Sequence, residues 1–92
     1  MEGPSRHEGL QPIADPSAMD RARKLAQLQQ AERHVAEGKK HVAKQEALVA
    51  ALERDGHDAY AAKAREILAV LRDTQARHEQ HRQSILDELA QS

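Results

Sequence analysis

Apolar residues recur every seven positions through the first half of the chain's periodic region. One column holds Leu28, Val35, Val42 and Val49, and a second column, three residues later, holds Ala31, Gly38, Gln45 and Leu52. This spacing places both columns on one face of an α-helix that packs against another helix, as in coiled coils. The pattern predicts a helix over about residues 17–54.

A second periodic run follows a short break. The string "RDGHD", residues 54–58, interrupts the pattern, and Gly56 suits the left-handed residue that ends a helix. After the break we assign one column to Ala64, Leu71, His78 and Ile85 and the other to Ile67, Thr74, His81 and Glu88, with Leu68 and Leu89 widening the stripe. The run predicts a turn at 55–57 and a helix over about 58–90.

Two long helices joined by so short a turn must fold back on each other. We therefore predict an all-α fold, an antiparallel two-helix hairpin that is coiled-coil-like. A single hairpin buries little of either helix, so we expect it to dimerise into a four-helix bundle or to bind another helical protein. The residues expected at these helix–helix interfaces are Leu28, Val35, Val42, Val49, Leu52, Ile67, Leu71, Ile85 and Leu89.

The N-terminal segment differs from the rest of the chain. All three prolines lie within the first 17 residues and the segment shows no periodicity, which predicts a flexible tail over residues 1–15. It lacks the apolar stretch of a secretory signal, and no part of the chain has the roughly 18 apolar residues of a membrane span. We expect a cytoplasmic protein with no membrane partner.

The composition removes several classes of function. The chain has no Cys, which excludes disulfides, thiol catalysis and Cys-ligated zinc. Charged residues make up 32% of the sequence but leave a net charge of -1, and Lys39, Lys40 and Lys44 fit a solvated face better than a phosphate-binding patch. We find no nucleophile–base set, Gly-rich phosphate loop or paired inward carboxylates, so we expect no enzymatic activity and no nucleic-acid partner.

Imidazoles interrupt the apolar rhythm of the second helix. His78 and His81 share one face, and a hairpin that turns at Gly56 places His34 beside His78. Three converging neutral imidazoles could bind Zn²⁺ or another divalent transition metal. The alternative, which we favour, is a polar layer that fixes register and partner choice at some cost in stability.

The sequence therefore favours a non-enzymatic protein that acts by self-association or protein–protein interaction, with no cofactor. The alternative function is a metal-binding or pH-responsive bundle that uses the histidine layer. In a pH-responsive bundle, histidines buried in their neutral form would cost stability as the pH falls through about 6.

One long string also resembles a group of known proteins. Its features are His34 four residues before Gly38, then Gln45 before an aliphatic run, the turn "LERDGHD" and the late pair His81-Arg82. Residues 32–90 with these features resemble small helical-hairpin proteins of alphaproteobacteria, the rhizobia and their relatives. No activity is known for that group, so the resemblance implies a bacterial cytoplasmic protein and no particular function.

Overall fold

Two long helices run side by side in the computed structural model, which describes residues 16–91. Helix α1 spans Pro16–Arg54 and helix α2 spans Asp58–Gln91. The two pack against each other along their lengths, which confirms the predicted all-helical hairpin. The predicted helix bounds differ from the observed ones by one residue, and the predicted tail at 1–15 lies outside the described residues.

The turn between the helices depends on one glycine. Gly56 has a φ of 76°, in the left-handed region where a residue without a Cβ is favoured. The His57 amide donates to the Leu52 carbonyl at 2.9 Å, and the Gly56 amide donates to Glu53 at 3.2 Å. These two bonds are those of a Schellman motif, which satisfies the last carbonyls of α1 and reverses the chain.

The seam of α1 follows the predicted columns. Ala31, Val35 and Val49 are buried, between 3% and 8% exposed. The other members of the two columns are half-buried: Leu28, Gly38, Val42, Gln45 and Leu52. Both columns therefore face α2, as the seven-residue repeat requires.

In α2 the structure corrects one of the two predicted columns. Ala64, Leu71, His78 and Ile85 lie in the seam as predicted, but the second column is Ala61, Leu68, Gln75, Arg82 and Leu89. Each predicted member of that column, one residue earlier, lies further from the seam. Ile67 is 47% exposed, His81 and Glu88 are exposed, and Thr74 is half-buried at the rim.

Two glutamines explain this rotation of α2. The Gln75 side-chain amide donates to the Val35 carbonyl at 2.8 Å, and the Gln45 amide donates to the Ala64 carbonyl at 3.0 Å. A Cβ on Gly38 would lie 2.7 Å from Gln75 Cδ, so the missing side chain makes room for the amide. Because each glutamine is bonded to the opposite backbone, Gln75 rather than Thr74 faces the seam.

The core within residues 16–91 is thin. Its buried apolar members are Ala31, Val35, Val49, Ala61, Ala64, Leu68 and Ile85. Three of these are alanines, so the two helices approach closely but bury little apolar surface. Neither helix has the length and apolarity together that a membrane span requires.

Candidate functional site

Two rows of residues flank the seam, and one row is fully charged. We call it the ion-paired flank; it consists of Glu32, Lys39, Glu46 and Glu53 on α1 and Asp58, Arg65, Arg72 and Glu79 on α2. Arg72 and Glu46 pair across the helices at 2.8 Å, and Arg65 and Glu53 pair at 2.5 Å. Four of the eight charges on this flank therefore have cross-helix partners inside the hairpin.

Over residues 34–48 of α1 and 60–81 of α2, the opposite row carries no Lys, Arg, Asp or Glu. We call it the open flank; it consists of His34, His41 and Leu48 on α1 and Tyr60, Ile67, Thr74 and His81 on α2. Leu48 and Ile67 are each 47% exposed, and Val70, one turn from Ile67, is 64% exposed. The ion-paired side also exposes apolar residues, Leu25 and Leu86, but only beyond its charged stretch.

A small cleft opens on the open flank halfway along the hairpin. It has a volume of about 100 Å³ and is lined by His34, Glu37, Gly38, His41, Leu71, Thr74, Gln75 and His78. The rings of His34 and His78 face each other across the seam, with centroids 5.4 Å apart and planes at 45°. This histidine cleft contains two of the three imidazoles predicted to converge.

The third predicted imidazole lies elsewhere. His81 is exposed and does not line the histidine cleft, because the adjacent Arg82 occupies the seam at that level. Within residues 16–91 the structure forms no group of three or more His, Cys, Asp or Glu side chains that could hold a metal ion. A single hairpin thus offers a pair of imidazoles, and the three-histidine ligand set stays a prediction.

The cleft also contains a buried polar residue that the sequence did not single out. Gln75 is 9% exposed, and its Oε1 is buried without a hydrogen-bond partner in the described part of the chain. The signal that could have revealed it is Gly38, a helical glycine in the seam of the opposite helix, where a close contact is expected.

A larger cleft lies at the open end of the hairpin. Its volume is about 450 Å³, and it is lined by Ser17, Asp20, Arg21, Lys24, Glu88 and Leu89. Lys24 and Glu88 pair across the helices there at 2.6 Å. Asp20 and Glu88 continue the open flank's two rows at the seven-residue spacing, so this cleft is on the same side of the molecule as the histidine cleft.

The exposure of the histidines bears on the predicted pH response. That response required neutral imidazoles held in a buried layer. In the hairpin His34 and His81 are exposed and His78 is half-buried. Only a further element that covers the open flank would bury them.

Comparison of the chain with protein-family models, with curated proteins and with solved structures gives no match. The resemblance of residues 32–90 to the alphaproteobacterial hairpins stays a prediction. Function is therefore argued from the two flanks and the two clefts.

Proposed function

We propose that this protein is a non-enzymatic self-association module, in which two hairpins join through their open flanks into an antiparallel four-helix bundle. The observation that carries the proposal is the contrast between the flanks. The ion-paired flank is charged at every position, whereas the open flank exposes leucine, isoleucine and neutral polar side chains.

Burial of the open flank is the favourable step. Full burial of an exposed apolar side chain the size of Leu48 or Ile67 is worth roughly 1.5–3 kcal/mol, and because each is 47% exposed in the hairpin, covering it gains about half of that. The seven residues of the open flank carry no Lys, Arg, Asp or Glu, so the charges that association has to desolvate are those of the open-end cleft, Asp20, Arg21, Lys24 and Glu88. On the ion-paired flank the same association would remove four paired charges from water, at a cost that offsets much of the gain.

The spacing of features along the open flank favours a second copy of the hairpin over an unrelated helix. On α1, Leu48 lies 14 residues after His34 and Asp20 lies 14 residues before it, about 21 Å each way along the helix. On α2, Ile67 and Leu89 each lie 11 residues from His78, about 16 Å each way.

This spacing sets Ile67 of one copy at the level of Leu89 of the other, and Leu48 at the level of Asp20. A two-fold axis through the His34–His78 layer, perpendicular to the hairpin, places the apolar residues near the turn of each copy over the open-end cleft of the other. An isologous contact of this kind closes on itself and forms a discrete dimer. The match of Ile67 with Leu89 therefore supports antiparallel pairing.

Sedimentation velocity of the untagged protein in chelator, over a wide range of concentration, tests the proposal. We expect the mass of two chains at high concentration and dissociation on dilution. Native mass spectrometry of the same sample gives the subunit count directly. A single-chain mass at every concentration would contradict self-association and leave the open flank as a surface for another helical protein.

A further inference from the structure

We infer that the His34–His78 pair is half of a metal site, which two copies complete around one divalent transition-metal ion of the zinc class. This inference rests on the proposed self-association and adds the ligand of its central layer. Each copy contributes two imidazole nitrogens, so that the ion is held by four.

The geometry of the pair fits one shared ion. Zinc binds imidazole nitrogen at about 2.0–2.1 Å in a tetrahedral arrangement, which puts the centroids of two ligating rings about 5 Å apart. The observed centroid separation is 5.4 Å. The two rings come from different helices, and their 45° tilt is not that of parallel stacking.

The position of the pair provides the missing ligands. The described chain supplies no third His, Cys, Asp or Glu to complete the site. His34 lies close to the midpoint of α1, Pro16–Arg54, so an antiparallel dimer with full overlap has its two-fold axis at this layer. The axis brings His34 and His78 of the second copy opposite the pair of the first copy. Four imidazole nitrogens fill the four positions of a tetrahedral zinc site.

The surroundings of the pair include a side-chain carbonyl that has no hydrogen-bond partner in the described residues. Gln75 is more than nine-tenths buried, lines the same cleft, and has an Oε1 that accepts no hydrogen bond within residues 16–91. A metal-bound imidazole normally donates its second ring N–H to a carbonyl or carboxylate. Glu37, Thr74 and Gln75 line the same cleft and carry oxygen atoms of the kind that accept such a bond, Gln75 Oε1 lying against Gly38.

The test uses the full chain, stripped with chelator and titrated with zinc chloride alone. We expect one zinc per two chains by native mass spectrometry. Zinc at about 100 times its own dissociation constant should lower the apparent dissociation constant of the dimer about 100-fold. Cobalt(II) in place of zinc should give the intense visible absorption of tetrahedral coordination.

Variants separate this site from non-specific binding by histidine. His34→Ala and His78→Ala should each abolish the zinc-dependent gain, whereas His81→Ala, outside the cleft, should keep it. Circular dichroism in chelator checks that each variant is as helical as the parent chain. Zinc retained by the His34→Ala/His78→Ala double variant at the original stoichiometry would overturn the inference.

The outcomes also distinguish this inference from the proposed function. A dimer in chelator that takes up no zinc overturns the metal site and leaves self-association standing. A monomer in chelator that dimerises only with zinc supports the site and contradicts the proposed self-association of the metal-free chain. A monomer that neither binds zinc nor dimerises contradicts both.

Discussion

The two flanks of the seam belong to the same pair of helices and differ in almost every position. On one, Glu46, Glu53, Arg65 and Arg72 form cross-helix pairs. On the other, Leu48 and Ile67 are nearly half exposed, and the polar groups are hydroxyls and imidazoles. The exposed side chains of the first flank are charged, whereas those of the second include two large apolar residues, and this difference is why we propose that a second copy covers the open flank.

The difference between the flanks matters for stability because the seam between the two helices is thin. Only four of the seven buried apolar residues are larger than alanine. The hairpin alone therefore buries little apolar surface on folding. Exposed surface pairs such as Arg72–Glu46 contribute at most about 1 kcal/mol. The open flank is therefore where additional stability can come from, through association.

The largest expected effect comes from a charge placed on the open flank. Ile67→Glu should weaken dimerisation about 100-fold or more, roughly 3 kcal/mol, because it removes an apolar contact and buries a carboxylate. Sedimentation equilibrium gives the dissociation constant. Ala69→Glu adds the same charge to the exposed outer face of α2 and should leave that constant within about twofold. Equal effects of the two changes would show that the open flank has no special role.

A smaller effect tests what orients the flanks. Gly38→Ala gains about 1 kcal/mol of helix propensity but displaces the buried Gln75 amide from Val35, which costs about 1–3 kcal/mol. We expect a net loss of roughly 1 kcal/mol in the free energy of unfolding. In a Gln75→Ala background the same change should be stabilising by about 1 kcal/mol. Thermal and urea unfolding of the parent, the two single variants and the double variant gives the coupling energy between Gly38 and Gln75. A coupling energy near zero would show that this contact does not determine the register of the two helices.

The smallest effect is expected on the ion-paired flank. Arg72 and Glu46 are 58% and 49% exposed in their side chains. Glu46→Gln should lower the free energy of unfolding by about 0.5 kcal/mol or less and leave the dimer dissociation constant unchanged. If this variant strongly weakened the dimer, the interface would involve the ion-paired flank, contrary to our proposal.

The sequence predicted the architecture because its strongest signals were local. The seven-residue repeat of α1 and the glycine of the turn each depend on one helix or one residue. The helix bounds, the Schellman turn at Gly56 and both seam columns of α1 follow from these signals. The same is true of the His34–His78 proximity, which needs only the position of the turn.

The prediction of the second column of α2 was wrong because apolar periodicity does not show which of two adjacent residues faces α1. Ile67 and Leu68 are equally apolar, and Thr74 is a better seam residue than Gln75 by hydrophobicity alone. Gln75 faces the seam because its side chain donates to the Val35 carbonyl and occupies the space above Gly38. Both contacts depend on the two helices together and cannot be deduced from the α2 sequence alone. That error placed Ile67 and His81 inside the seam and so concealed the open flank.

The most direct test of the open flank uses the absence of cysteine from the chain, since any thiol cross-link then joins two introduced residues. Thr74→Cys lies on the open flank and Arg72→Cys on the ion-paired flank. In the proposed bundle two thiols at position 74 are about 12 Å apart along the axis, whereas those at position 72 are separated by at least two helix diameters, about 20 Å. A bifunctional maleimide of about 12 Å reach should cross-link the Thr74→Cys protein into dimers and leave the Arg72→Cys protein monomeric on a denaturing gel. Cross-linking of Arg72→Cys alone, or equally of both, would contradict the central claim.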